Sequence, residues 1–236
     1  MDKSKTYRVT YNVYPNDKIR QVSFHGKLQA PLYIQLIYDR RNTVYKSNLF
    51  DLFLKPKYGI RVAGDLHPPR IKEVIEREEK LVEFVINRHP DDFSLALFKQ
   101  EYDHYSRDLL DEMEPGFLFY LHTFFQDEGM PHLAGSLNVA APPVHLADVV
   151  RDLKRALKPD LYGRLVEHSF YYAPPYLPLF QFAEQLRRPL TSLTLMDWED
   201  ESIKDGFTKF MGKYYPDKSL ADILENIVKY VKKLQN

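Results

Sequence analysis

Leu32-Tyr33-Ile34-Gln35-Leu36-Ile37-Tyr38, then Asp39-Arg40-Arg41-Asn42, then Thr43-Val44-Tyr45-Lys46, is the stretch on which the fold turns. Pro31 introduces it. Leu32, Ile34, Leu36 and Tyr38 share one side of an extended chain, with Tyr33 and Gln35 on the other. A period of two is the mark of a half-buried strand. Asp39 to Asn42 reads as a hairpin tip, although it lacks the glycine of the tightest turns. From Thr43 to Leu54 the content is again β-like.

The same period extends upstream. Tyr7, Val9, Tyr11 and Val13 alternate with Arg8, Thr10 and Asn12, and Pro15-Asn16-Asp17 supplies a turn. Val22, Phe24 and Leu28 alternate with Gln21, Ser23, His25 and Lys27, which predicts one further strand. The expectation is a small antiparallel sheet of three or four strands.

Beyond this the pattern changes. Lys55 to Pro69 is a connector marked by Pro56, Gly59, Gly64 and Pro68-Pro69. Ile71, Val74, Ile75, Leu81, Val82 and Val85 then fall at helical spacing. His89-Pro90 breaks that helix, and Ser94 is suited to cap the next. A stripe of Leu97, Phe98, Tyr102, Tyr105, Leu109 and Met113 predicts one helix up to Pro115-Gly116. Phe117–Gln126, Val144–Leu157 and Pro175–Arg187 predict further helices, and Leu220 to Leu234 the last. The fold class expected is α+β: a β-rich domain over 1–65 and a larger helical domain over 66–236.

Charge divides along the same line. The chain of 236 residues has zero formal net charge. Through Arg70 there are 13 Lys+Arg against 5 Asp+Glu, and from Ile71 onward 20 against 28. Such asymmetry points to a polyanion-facing module, or to two parts that attract each other. Cysteine is absent, which excludes disulfides and thiolate metal sites. The polar start Met1–Val9 and the short, charge-broken apolar runs predict a cytoplasmic protein without a membrane partner.

Enzyme signatures are missing. There is no phosphate-cradling glycine loop, nucleophile elbow, HExxH helix or thiol, so the expectation is a non-enzyme with no cofactor. His122, Asp127, Glu128 and His132 are too irregularly spaced for metal ligation, because ligands on one helical face need three- or four-residue steps. Phe170 to Phe180, rich in aromatics and prolines, is either core or a protein contact patch. The acids Glu199, Asp200 and Glu201 need no explanation beyond a helix N-terminus.

The basic sheet carries the functional expectation. Arg8 and Lys27 alternate with core residues and are expected to point outward. Arg40 and Arg41 sit at the tip with Lys46 just past it, and Tyr33 and Gln35 lie opposite the core. Arg, Lys, Tyr and Gln on one sheet face can contact phosphates and reach base edges. The alternative is a protein–protein adaptor or assembly subunit using the aromatic-proline segment and the acidic helices. Oligomeric state stays open.

Pro31 through Ser47 also resembles the strand–turn–strand core of the arm-type DNA-binding domain of tyrosine recombinases and integrases. Ile71 onward, with Asp92 to Tyr102, is similar to that family's passage into its helical core-binding domain. The likeness spans roughly 30–110. It implies DNA binding through the sheet, hence through Arg8, Gln35, Arg40, Arg41 and Lys46. Ser47-Asn48 stands where the family often has threonine-glycine, and the tryptophan that usually follows is missing. The family's catalytic Arg, Lys, His-x-x-Arg and Tyr have no counterpart; Tyr171 stands where an Arg would follow His168. The resemblance therefore implies a non-catalytic accessory protein, of a mobile element or phage.

Overall fold

In a computed structural model, the structure describes residues 8–59, 69–140, 143–186 and 191–234. Tyr7 of the expected first strand, Gly64 and Pro68 of the expected connector, and Arg187 lie outside these. The chain forms two compact units, 1–106 and 107–236. The fold is α+β, with a small antiparallel sheet followed by a larger helical region.

The first unit is built on strands β1 (Thr10–Pro15), β2 (Val22–Phe24), β3 (Lys27–Gln29), β4 (Leu32–Tyr38) and β5 (Arg41–Lys46). The main sheet has the order β1-β4-β5, antiparallel throughout, and β2-β3 form a separate two-stranded ribbon. Leu32, Ile34 and Leu36 are fully buried, as the alternation requires. Asp39 and Arg40 both take left-handed backbone conformations, φ 47° and 61°. They form a two-residue hairpin loop whose twist matches the strands, without the usual glycine. The predicted single strand over Val22–Leu28 is instead a hairpin. His25 (φ 48°) and Gly26 (φ 85°) reverse the chain, and Leu28 is 73% exposed.

The β-like content expected through Leu54 stops at Lys46. Ser47 accepts a hydrogen bond from the Phe50 backbone N–H at 2.9 Å and starts helix α1 (Asn48–Phe53). Helix α2 (Ile71–Arg88) contacts β1 and buries Val74, Leu81, Val82 and Val85. Helix α3 (Leu95–Tyr105), capped by Ser94, packs on α2. Both helices thus belong with the sheet. The contacts divide after Ser106, not near residue 65. Charge then divides less steeply: 18 Lys+Arg against 14 Asp+Glu in 1–106, and 15 against 19 in 107–236.

The buried centre of this unit is polar. Glu78 of α2 has no exposed surface and shares a hydrogen bond with the Ser47 hydroxyl. The Tyr102 phenol and the Leu49 backbone also favour its charged form, while its Oε1 is buried without a hydrogen-bond partner. Tyr102 in turn accepts from the Asn48 N–H at 2.7 Å. Burial outweighs these bonds and pushes the Glu78 carboxyl up to about 7.

The second unit contains α4 (Leu109–Asp127), α5 (Pro131–Ala140), α6 (Leu146–Ala156), α7 (Pro159–Tyr172), α8 (Tyr176–Gln185), α9 (Leu195–Glu199), α10 (Glu201–Tyr214) and α11 (Leu220–Lys233). The single helix predicted through Met113 is broken earlier. Asp108 pairs with Thr194 as an isolated bridge, and its carboxylate accepts from the backbone N–H groups of Leu110 and Leu193. Helix α4 then runs straight through Pro115 and Gly116. A side chain at Gly116 would meet the Tyr230 hydroxyl at 2.9 Å and Pro174 at 3.0 Å. The glycine is a close-packing point, not a stop.

Glu114 accepts from the Tyr176 hydroxyl at 2.7 Å and from the Leu146 N–H at 3.0 Å, so α4 caps the first turn of α6. Tyr176, Leu177, Pro178, Leu179 and Phe180 are buried, which makes this half of the aromatic-proline segment core. Tyr171 and Tyr172 are exposed. The acidic run is explained by capping: Asp200 accepts from the Ser202 N–H at 2.8 Å and opens α10. Among the described residues no helix is long and apolar enough to cross a membrane.

Candidate nucleic-acid interface

Directly opposed residues of an antiparallel pair lie on the same face. The register therefore defines three rows across β1, β4 and β5 on the side away from Leu32, Ile34 and Leu36. They are Thr10–Ile37–Asn42, Asn12–Gln35–Val44 and Tyr14–Tyr33–Lys46. Thr10, Asn12, Ile37, Asn42, Val44 and Lys46 are exposed, and Tyr14, Tyr33 and Gln35 half-buried. The Gln35 side-chain amide donates to the Asn42 side-chain Oδ1 at 3.1 Å.

The opposite face is the helix side. There Tyr11 donates to Glu83 of α2 at 2.6 Å. Burial, then Glu83, pushes the Tyr11 phenol up to about 12. Tyr45 donates to the Leu95 carbonyl at 3.2 Å. The contact of α2 with the sheet is thus made on the face that the three rows do not occupy.

The predicted site residues separate. Tyr33, Gln35 and Lys46 lie together in the rows, and Arg8 is exposed just before β1. Arg40 occupies the exposed tip. Arg41 does not share the open face: it opposes Tyr38, whose ring meets Phe93 at 4.8 Å on the helix side. Lys27 belongs to the β2-β3 ribbon, held to α1 by Phe24 stacked on Phe50 at 5.3 Å and by His25 bonded to the Phe53 carbonyl. Lys46 pairs with Asp51 at 2.7 Å, both half-exposed. No ion pair joins Arg8, Arg40 or Arg41 to another described residue.

Thr10, Asn12 and Tyr14, with Ile37, Asn42 and Val44, are the face residues that sequence reasoning missed. The alternation already turned Asn12 outward. Tyr14 lay past the expected end of its strand, and only the register brings it beside Tyr33.

Among the described residues no three His, Asp or Glu side chains gather to hold a metal. No family model, no curated protein and no solved structure matches this chain.

Proposed function

We propose that this chain is a non-enzymatic nucleic-acid-binding protein that holds DNA against the open face of its three-stranded sheet. The observation that carries this reading is the division of labour between the two faces. One is spent on the apolar core and helix α2. The other presents amides, phenols and Lys46, flanked by Arg8 and Arg40, with no acidic side chain in its three rows. The exposed cations Lys18 and Arg20, in the segment after β1, add to the field of this part of the chain. The likeness of Pro31–Ser47 to an arm-type domain supports the same reading, with an accessory role in a mobile element or phage.

Titration of the full chain with short duplex and single-stranded oligonucleotides at several salt concentrations tests it. Binding is expected to fall steeply with salt, and Arg40→Ala to lower the magnitude of the log–log slope by about 1. Arg41→Ala, on the helix side, is expected to do less. Isotherms unchanged by Arg8→Ala and Arg40→Ala would remove the sheet from consideration.

A second reading, a protein adaptor or assembly subunit, is favoured by Tyr171 and Tyr172, which stand exposed at the end of α7 while the segment after them is buried. A native mass showing a strict monomer, unchanged in Tyr171→Ser/Tyr172→Ser, would count against it.

A further inference from the structure

We infer that this chain pairs with a second copy of itself along the outer edge of β5, so that two three-stranded sheets join into one about a two-fold axis at Val44. This pairing is independent of nucleic-acid binding, and no oligonucleotide enters its test. In the order β1-β4-β5, β5 is an edge, and among the described residues no strand pairs with its outer side. The Ser47 N–H donates to the Leu32 carbonyl at 3.0 Å, which fixes the phase of the ladder. Counting back in steps of two, Tyr45, Thr43 and Arg41 bond inward to β4. Asn42, Val44 and Lys46 therefore aim their backbone N–H and C=O groups at the open edge.

The opposite edge is guarded by its own residues. The Asn16 N–H donates to the Pro31 carbonyl at 2.9 Å, so the outward groups of β1 belong to Tyr11, Val13 and Pro15. Proline has no N–H to offer a further strand. Strand β5 has neither proline nor bulge, since each of its residues opposes one of β4. Asn42, Val44 and Lys46 are all exposed.

Charge then selects a second copy as the occupant. With Val44 opposite the partner's Val44, Lys46 meets the partner's Asn42, and Asn42 meets the partner's Lys46. All three outward residues are paired, and each cation faces a neutral amide. Past the strand end, the partner's Arg41 falls opposite Ser47 and the partner's Arg40 opposite Asn48. The tip cations of one copy thus approach Asp51 of the other, a half-exposed carboxylate three residues into α1. Other symmetric registers fit worse. Slipping by two residues sets Lys46 against the partner's Arg40, and centring on Lys46 sets it against itself. Like charges directly opposed destabilise a strand pair. Val44, 47% exposed in the single chain, is covered at the axis. One short edge makes a small interface, so the dimer is expected to be half dissociated on the order of 10 µM.

Sedimentation of the full chain, from about tenfold below to about tenfold above that concentration, is expected to show monomer passing to dimer. Val44→Pro deletes the outward N–H while sparing every bond to β4. It is expected to keep the fold and weaken association at least about tenfold. Val44→Lys puts two cations at the axis and is expected to weaken association at low salt, with recovery as salt is raised. The chain has no cysteine, so Val44→Cys introduces its single thiol. Directly opposed Cα atoms stand about 5.5 Å apart, within disulfide reach, so mild oxidation is expected to link two copies. Val139→Cys, exposed on α5, is expected to link far more slowly. A strict monomer across the whole range overturns the inference. A dimer that survives both Val44→Pro and Val44→Lys also does so, by placing the contact elsewhere. Should Val44→Pro not fold, Val44→Lys and the cross-link decide: oxidation no faster at Val44→Cys than at Val139→Cys overturns it.

Discussion

The two units treat awkward groups differently. In the first, His25, Asp39 and Arg40 hold left-handed backbone without being glycine. Its buried acid, Glu78, keeps a hydrogen bond from Ser47 but leaves Oε1 without a partner, and its neighbours do not offset the loss of water. In the second, the residue of positive φ among those described is Gly129, which bears it freely. Its buried acids Asp108, Glu114 and Asp197 all hold hydrogen bonds, and Glu114 takes a phenol and a helix-opening N–H. Strain and uncompensated burial gather where structure is bent to a task. Of these residues, Asp39 and Arg40 stand at the tip of the sheet whose open face we propose binds nucleic acid.

The contrast breaks most visibly at Glu114. Glu114→Ala leaves the Tyr176 hydroxyl and the Leu146 N–H buried without their acceptor. It is expected to destabilise the second unit by about 3 kcal/mol. Amide hydrogen exchange over α4, α6 and α8 would show the loss, with α2 and α3 unaffected.

Glu78 sharpens the contrast through pH. Its carboxyl keeps its proton in the folded state to about 7, whereas the unfolded chain releases it near 4.5. Between these values the unfolded state binds fewer protons, so the first unit loses stability as pH rises. The contribution is complete below pH 4.5 and gone above about 7. It amounts to roughly 3 kcal/mol at full extent. Glu78→Gln, which keeps shape and hydrogen bonding, is expected to flatten this slope. A slope over pH 5–8 identical in protein and variant would refute it.

The smallest effect belongs to Arg40. Arg40→Gly relieves the left-handed backbone and is expected to raise stability by about 0.5–1 kcal/mol, the relief less the added freedom of the unfolded chain. The same change removes a cation from the tip, so thermal stability and DNA affinity should move in opposite directions. Both rising together would separate the turn from the interface.

What the sequence disclosed follows from how local each signal is. Strand β4 was legible because four alternating apolar residues leave one solution. The open face was half legible: period two turned Tyr33 and Gln35 outward, but placing Asn12 beside Gln35 needs the register. Alternation carried through His25-Gly26 runs Val22 to Leu28 as one strand, whereas the glycine marks a reversal that puts Lys27 opposite Phe24. The four-residue tip expected from the sequence puts Arg41 beside Arg40, whereas Arg41 already pairs with Tyr38. The break after Tyr105 was hidden because it depends on Asp108 meeting Thr194, far along the chain. Pro115-Gly116 resembled a stop because nothing local reveals Pro174 and Tyr230 pressing on Gly116.

Trp198 is the chain's single tryptophan, buried in the second unit with its ring 5.8 Å from Phe207. Indole emission is therefore a private channel to that half, to which the β-rich half contributes only tyrosine light. A denaturant curve followed at the indole, laid over one followed by ellipticity, would tell whether the halves melt together or in turn. It needs no label and no truncation.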